Sequence, residues 1–166
     1  LLDTLQGFEV SATHFLLGNL AQAYPEGVST LLSTGQQLGN HAWTHDSPWR
    51  QTPREVLAAA QRTADLLATH SGGKPLWYRP PYGMLHPVAI RRLNHRYKIV
   101  LWSIMPGDFD ASISPDALVK YTLQQAAPGK IIVLHDSPKV WPRLQTALPR
   151  ILEGLQIEGY HIRALP

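Results

Sequence analysis

No cysteine occurs among the 166 residues, which excludes disulfides and thiolate metal sites and leaves the compartment open. No apolar run is long enough to span a bilayer, and no segment joins a basic start to a short apolar stretch as a leader peptide does. Methionine is scarce. Met84 and Met105 are the only two, and the chain opens Leu-Leu-Asp, so the natural N-terminus is expected to lie upstream. Charge is sparse as well, at 16% of residues, with a formal net charge of +3 and a pI near 9.3. Acids are spread among the bases, so this mild excess is a weak signal for anionic partners. The one basic stretch, RRLNHRYK at 91–98, lacks the supporting motif a nucleic-acid patch needs and reads as a solvated helix face. What is present is 44% hydrophobic residues over a length suited to one globular domain, residues 1–166.

Helix and strand signals alternate along the chain. A helix end at Leu1, Leu2 and Leu5 closes at Gly7. A continuous apolar run predicts a strand at about Phe15–Leu17, then a helix from about Leu20 to Thr34 and a short strand at QLGNH. Thr52-Pro53-Arg54-Glu55 is a capping box with proline at the first helical position. Val56, Leu57, Ala60, Ala64 and Leu67 then recur at helical spacing until Gly72-Gly73. Further strands are predicted at LWYR, KIVLWSI, KIIVLH and YHIRAL. Further helices are predicted over about Pro87–His95, from Ser114 to Pro128-Gly129, and over about Trp141–Gln156. Six strands alternating with about six helices, without repeats, predict an α/β fold with a parallel sheet, open or closed into a barrel.

Functional residues in such folds gather where strands end at their carboxyl edge. His41 and His45 follow QLGN, Arg79 follows LWY, Asp108 follows LWSI, and His135-Asp136 follows IIVL. Two histidines four residues apart are neighbours if helical, so they could share an ion or simply share a polar face, and spacing alone does not decide. Four strands each delivering a polar group to one rim favours a metal-dependent active site.

Three motifs in order, NHAWTH, RPPYG and IIVLHDS, resemble the polysaccharide deacetylase family, the NodB-homology domains of carbohydrate esterase family four. GFEVSATHFLLG is similar to its second strand, and LPRILEGLQIEGYHIRAL to its closing helix and strand. The resemblance implies a distorted (β/α) barrel and metal-dependent removal of acetyl groups from the N-acetylated sugars of a polysaccharide, peptidoglycan or chitin-like. It implies that His41 and His45 ligate a divalent ion, most often zinc, and that Arg79 orients a catalytic aspartate. The backbone N–H of Tyr82 would help hold the oxyanion. His135 would be the general acid, tuned by Asp108, with Leu134 and Phe109 shaping the acetyl pocket.

Two departures stand out. The family's first motif, an aspartate pair that supplies the base and the third metal ligand, is absent from these residues, and its strand is expected upstream of Leu1. In the fourth motif Met105 replaces an aspartate and Phe109 a tryptophan.

An amide is a poor electrophile, so its hydrolysis needs an activated water, a stabilised oxyanion and an acid for the departing amine. Zinc can lower the pKa of a bound water to about 7 and polarise the carbonyl, and it prefers three protein ligands with one open position. Histidine suits the acid because its ordinary pKa lies near 6.5. With two ligands and no base of its own, the 166-residue form is expected to bind metal weakly and to be inactive. The competing reading is a non-catalytic carbohydrate-binding relative. Other polar readings are plain ones: His135 satisfied by Asp136, and Arg79 either paired with Asp108 or solvated. Trp43, Trp49, Trp102 and Trp141 could stack on sugars, though each is more often packing.

Overall fold

The computed structural model describes all of residues 1–166, which form two compact units. One comprises Ala12–Leu101 with Ala164–Pro166 and carries the sheet. The other comprises Leu1–Ser11 with Trp102–Arg163 and is built around a helix pair.

In the sheet unit four strands run parallel in the order β1 (Thr13–Leu16), β2 (Gln37–Asn40), β3 (Trp77–Tyr78) and β4 (Lys98–Ile99). Thr13 pairs with Gln37, Asn40 with Tyr78, and Tyr78 with Ile99, so neighbouring strands end at nearly the same level. Helix α4 (Pro53–Ser71) packs against β2 and its neighbouring helices and buries Val56, Ala60, Thr63, Ala64 and Leu67, a single face at helical spacing. Fully burying a side chain such as Leu67 stabilises by about 1.5–3 kcal/mol. The capping box forms as the sequence predicts. The Glu55 N–H donates to the Thr52 hydroxyl and the Thr52 N–H to the Glu55 carboxylate, while Gly72 ends the helix in the left-handed region at φ 70°.

Four predicted elements differ. The helix expected over 20–34 is two, α2 (Gly18–Ala23) and α3 (Pro25–Ser33), because a residue before proline is driven out of the helical region and Tyr24 sits at φ −131°, ψ 64°. KIVLWSI contributes only β4 to the sheet. KIIVLH forms no ladder: Ile104 and Ile132 make a single parallel bridge in the other unit. The Ile131 carbonyl accepts from both Ser103 and Ile104 N–H, which breaks the one-to-one spacing of a ladder. YHIRAL is irregular. The Leu165 N–H donates to the Thr13 hydroxyl rather than to a backbone carbonyl.

Helix α5 (Pro87–Leu93) buries Ala89 and Leu93, and the residues of the 91–98 stretch around Leu93 and Tyr97 are exposed, as expected of a solvated face. In the helix-pair unit α1 spans Leu2–Gly7, and α6 (Pro115–Gln125) packs on α7 (Trp141–Ile157). Leu118, Val119, Ala147, Ile151 and Leu155 form the core of that pair. The Ser114 hydroxyl caps α6 by accepting from the Ala117 N–H. No helix is long and apolar enough to cross a membrane.

Candidate active site

His41 and His45 lie on an irregular loop after β2, not on a helix. The loop turns at Ala42, held at φ 68°. Its carbonyls are anchored at the start of α2, where the Gly18 N–H donates to Ala42 at 3.0 Å and the Asn19 N–H to Trp43 at 3.0 Å. Asn40, completely buried, holds the turn from within. Its side-chain oxygen accepts from the Ala42 N–H at 2.9 Å and its Nδ2 donates to the Ala60 carbonyl at 2.7 Å. The two imidazole centroids are 5.1 Å apart and inclined at 63°.

His41 Nδ1 lies 2.6 Å from the Arg79 carbonyl oxygen. A carbonyl can only accept, so Nδ1 carries the proton and Nε2 keeps the lone pair. Metal-ligating histidines are commonly held this way, with the second ring nitrogen on a carbonyl. The donor chemistry therefore fits a divalent ion. No group of three His, Cys, Asp or Glu side chains is gathered, whereas a catalytic zinc takes three protein ligands.

Arg79 follows β3, whose N–H to Asn40 carbonyl bond of 2.9 Å continues the ladder. It is neither solvated nor ion-paired, contrary to both plain expectations. Only 8% of it is exposed and none of the three ion pairs includes it. The guanidinium donates from Nη2 to the Leu101 carbonyl at 3.0 Å and lies 4.1 Å from the centroid of the Phe15 ring, while Nε is buried without a partner. Burial pushes its pKa down to about 10. A glycine makes this seat: a Cβ on Gly39 would stand 2.6 Å from the Phe15 ring. Tyr82 sits in a 3₁₀ turn at φ 56°, and its ring meets His45 edge-on at 4.6 Å.

The helix-pair unit holds the second cluster. Asp108 is completely buried and grips His135 twice, accepting from its backbone N–H at 2.6 Å and from ring Nδ1 at 2.8 Å. The partner of His135 is thus Asp108, and Asp136 is exposed. With Nδ1–H on a carboxylate, Nε2 is again the nitrogen left for chemistry, and the His135 side chain is 42% exposed. The Phe109 ring stands edge-on at 5.3 Å from it, and Leu134 is half-buried beside it in the chain. Arg143 from α7 donates to the Asp108 carbonyl at 2.7 Å.

Asn40, Phe15 with Gly39, and Arg143 are supports that sequence reasoning missed. A glycine inside the QLGN strand and an asparagine directly before His41 were the available signals. Nothing near Arg143 marks it.

The family model for polysaccharide deacetylase matches residues 1–99. Peptidoglycan-N-acetylmuramic acid deacetylase PdaC of Bacillus subtilis is 30% identical over 162 residues, covering 98% of this chain and 33% of that protein. Peptidoglycan-N-acetylglucosamine deacetylase PgdA of Listeria monocytogenes is 30% identical over 159 residues, covering 96% and 33%. The chain spans about a third of the length of these curated relatives. The solved structure of the Bacillus subtilis PdaC deacetylase matches with a TM-score of 0.86 at 30% identity, over 99% of this chain and 78% of that one.

Proposed function

This chain belongs to the polysaccharide deacetylase family, and we propose that it hydrolyses the acetamide of an N-acetylated amino sugar in a peptidoglycan-like polymer, with a divalent metal as cofactor. The observation that carries the reading is a pair of differently held histidines within the family's motifs, His41 on a carbonyl and His135 on a buried carboxylate.

His41 and His45 would hold the ion, most suitably zinc. When bound, it supplies Lewis acidity toward the acetyl carbonyl and a more acidic water. His135 carries a proton on Nε2 and delivers it to the departing sugar amine. Asp108 is its positioning residue: it fixes the ring through Nδ1–H and balances the imidazolium charge. The Tyr82 backbone N–H takes part of the oxyanion charge. Leu134 and Phe109 bound the acetyl pocket. Arg79, a buried cation with an unpaired Nε, suits a carboxylate partner and takes the family's role of orienting a catalytic aspartate.

A non-catalytic carbohydrate-binding role is the second reading, favoured by the absence of a third metal donor among these residues. Acetate release from N-acetylated peptidoglycan and from chitooligosaccharides separates the two. Zinc-dependent release lost on His135→Ala supports the enzyme. Glycan binding without release, with zinc supplied, supports the second reading and contradicts the first.

A further inference from the structure

Three residues separate His41 from His45, and each of them is fastened. The Ala42 and Trp43 carbonyls accept from the Gly18 and Asn19 N–H groups at the start of α2, and the Thr44 hydroxyl donates forward to the Asp46 carboxylate. Trp43 is held by its ring as well. The Arg62 guanidinium of α4 lies 3.4 Å from the ring centroid, over the indole. On the α2 side a glycine makes the room. A Cβ on Gly18 would stand 2.4 Å from the Trp43 ring and 2.4 Å from the Thr63 hydroxyl of α4. The indole is thus packed between two helices rather than presented as a platform for a sugar.

Global stability accounts poorly for these choices. Arg62 is exposed, so its stack on Trp43 contributes little to the whole fold. Gly18 lies in α2, where alanine is the better helix former. What both residues do is keep one indole in one place. On either side of that indole, two residues away, are the proposed metal ligands. A loop that samples other arrangements holds an ion only while its donors converge, and its apparent affinity falls by that fraction.

We infer that the Trp43 ring, locked between Gly18 and Arg62, sets the separation of His41 and His45, and that Arg62 is a positioning residue for the metal, acting through the indole it covers. The inference rests on the metal reading above and deepens it, since it names what holds the two donors in register. Charge separates this role from a direct one. Removing a cation near a divalent-ion site strengthens ion binding by charge alone, whereas loss of positioning weakens it. The two effects of Arg62 have opposite signs.

The test is a calorimetric zinc titration of this chain, with urea midpoints measured alongside. The wild type should bind zinc, and His41→Ala should abolish the heat. Arg62→Met keeps most of the alkyl stem and removes the charge. It should weaken zinc binding about fivefold with its urea midpoint nearly unchanged. Arg62→Lys, which keeps a cation over the ring, should restore most of the affinity. Gly18→Ala displaces the ring and should weaken zinc about tenfold, and Arg62→Met remains the deciding variant if Gly18→Ala does not fold. Zinc affinity unchanged or raised in Arg62→Met overturns the positioning role alone, as does a lowered urea midpoint with affinity intact. A wild-type chain that binds no zinc, or binds it equally well after His41→Ala, overturns the metal reading together with it.

Discussion

His41 and His135 are held by the same nitrogen and by opposite kinds of partner. His41 gives its Nδ1 proton to a backbone carbonyl, a neutral acceptor, on a loop anchored by Asn40 and the start of α2. His135 gives its Nδ1 proton to Asp108, a buried carboxylate that also takes its backbone N–H. A carbonyl orients an imidazole through one neutral hydrogen bond, whereas a buried carboxylate grips it through a charge-assisted one. The same side-chain type is thus held in two different ways, which the proposed roles of metal ligand and proton donor would use.

The largest effect should come from the carboxylate-held ring. His135→Ala is expected to lower acetate release by the natural protein about 10²–10⁴-fold, the range typical of a general acid. A drop of less than tenfold would remove His135 from that role. Next comes its support. Asp108→Ala leaves the His135 N–H and ring without their acceptor and should cost about 3 kcal/mol, read as a lower urea midpoint. An unchanged midpoint would mean that the grip on His135 is not structural.

The carbonyl-held ring should respond more mildly. Asn40→Ala deprives the Ala42 N–H and the Ala60 carbonyl of partners, at about 2 kcal/mol, and loosens the turn between the two histidines. It should weaken zinc binding as well as stability, and loss of stability with undiminished zinc affinity would show that the loop does not depend on this anchor.

Smallest is a change in β3, the strand whose following carbonyl holds His41. The Tyr78 hydroxyl is buried without a partner, and burial raises its pKa. Tyr78→Phe should therefore stabilise by about 1 kcal/mol near neutral pH. The sign with pH follows from the raised value. Stability linked to this group is complete below the unfolded tyrosine's pKa of about 10 and falls as pH rises above it, because only the unfolded chain ionises. The gain from Tyr78→Phe should therefore grow above about pH 10, and a gain that shrinks there would contradict the buried, neutral phenol.

Much of this arrangement was legible from local signals. The Thr52–Glu55 box and Gly72 bound α4 because capping is decided by neighbours three or four residues away. His41 and Arg79 directly follow strands, as the apolar runs before them predict. KIIVLH was over-read as a strand, because β-branched composition reports burial and β preference but not whether a partner keeps register. The His41–His45 spacing left the local structure open for a related reason, since four-residue spacing carries no information about a turn built by Ala42 at positive φ. Partners distant in sequence were the least visible. The family resemblance pointed to Asp108 behind His135 where local reading offered its neighbour Asp136, and for Arg79 tertiary structure supplied the Phe15 face with the Leu101 carbonyl in place of a carboxylate.

The division of labour between the histidines is tested most directly by nitrogen-15 NMR of the imidazole rings during a zinc titration of this chain. The account predicts that His41 is the Nδ1–H tautomer before zinc is added, and that zinc shifts Nε2 of His41 and one ring nitrogen of His45. Because no group of three donors is gathered, the shift should saturate only at high zinc concentration, and the His135 signals should stay in place. A His41 protonated on Nε2, or a zinc response at His135 with His41 unmoved, would contradict it.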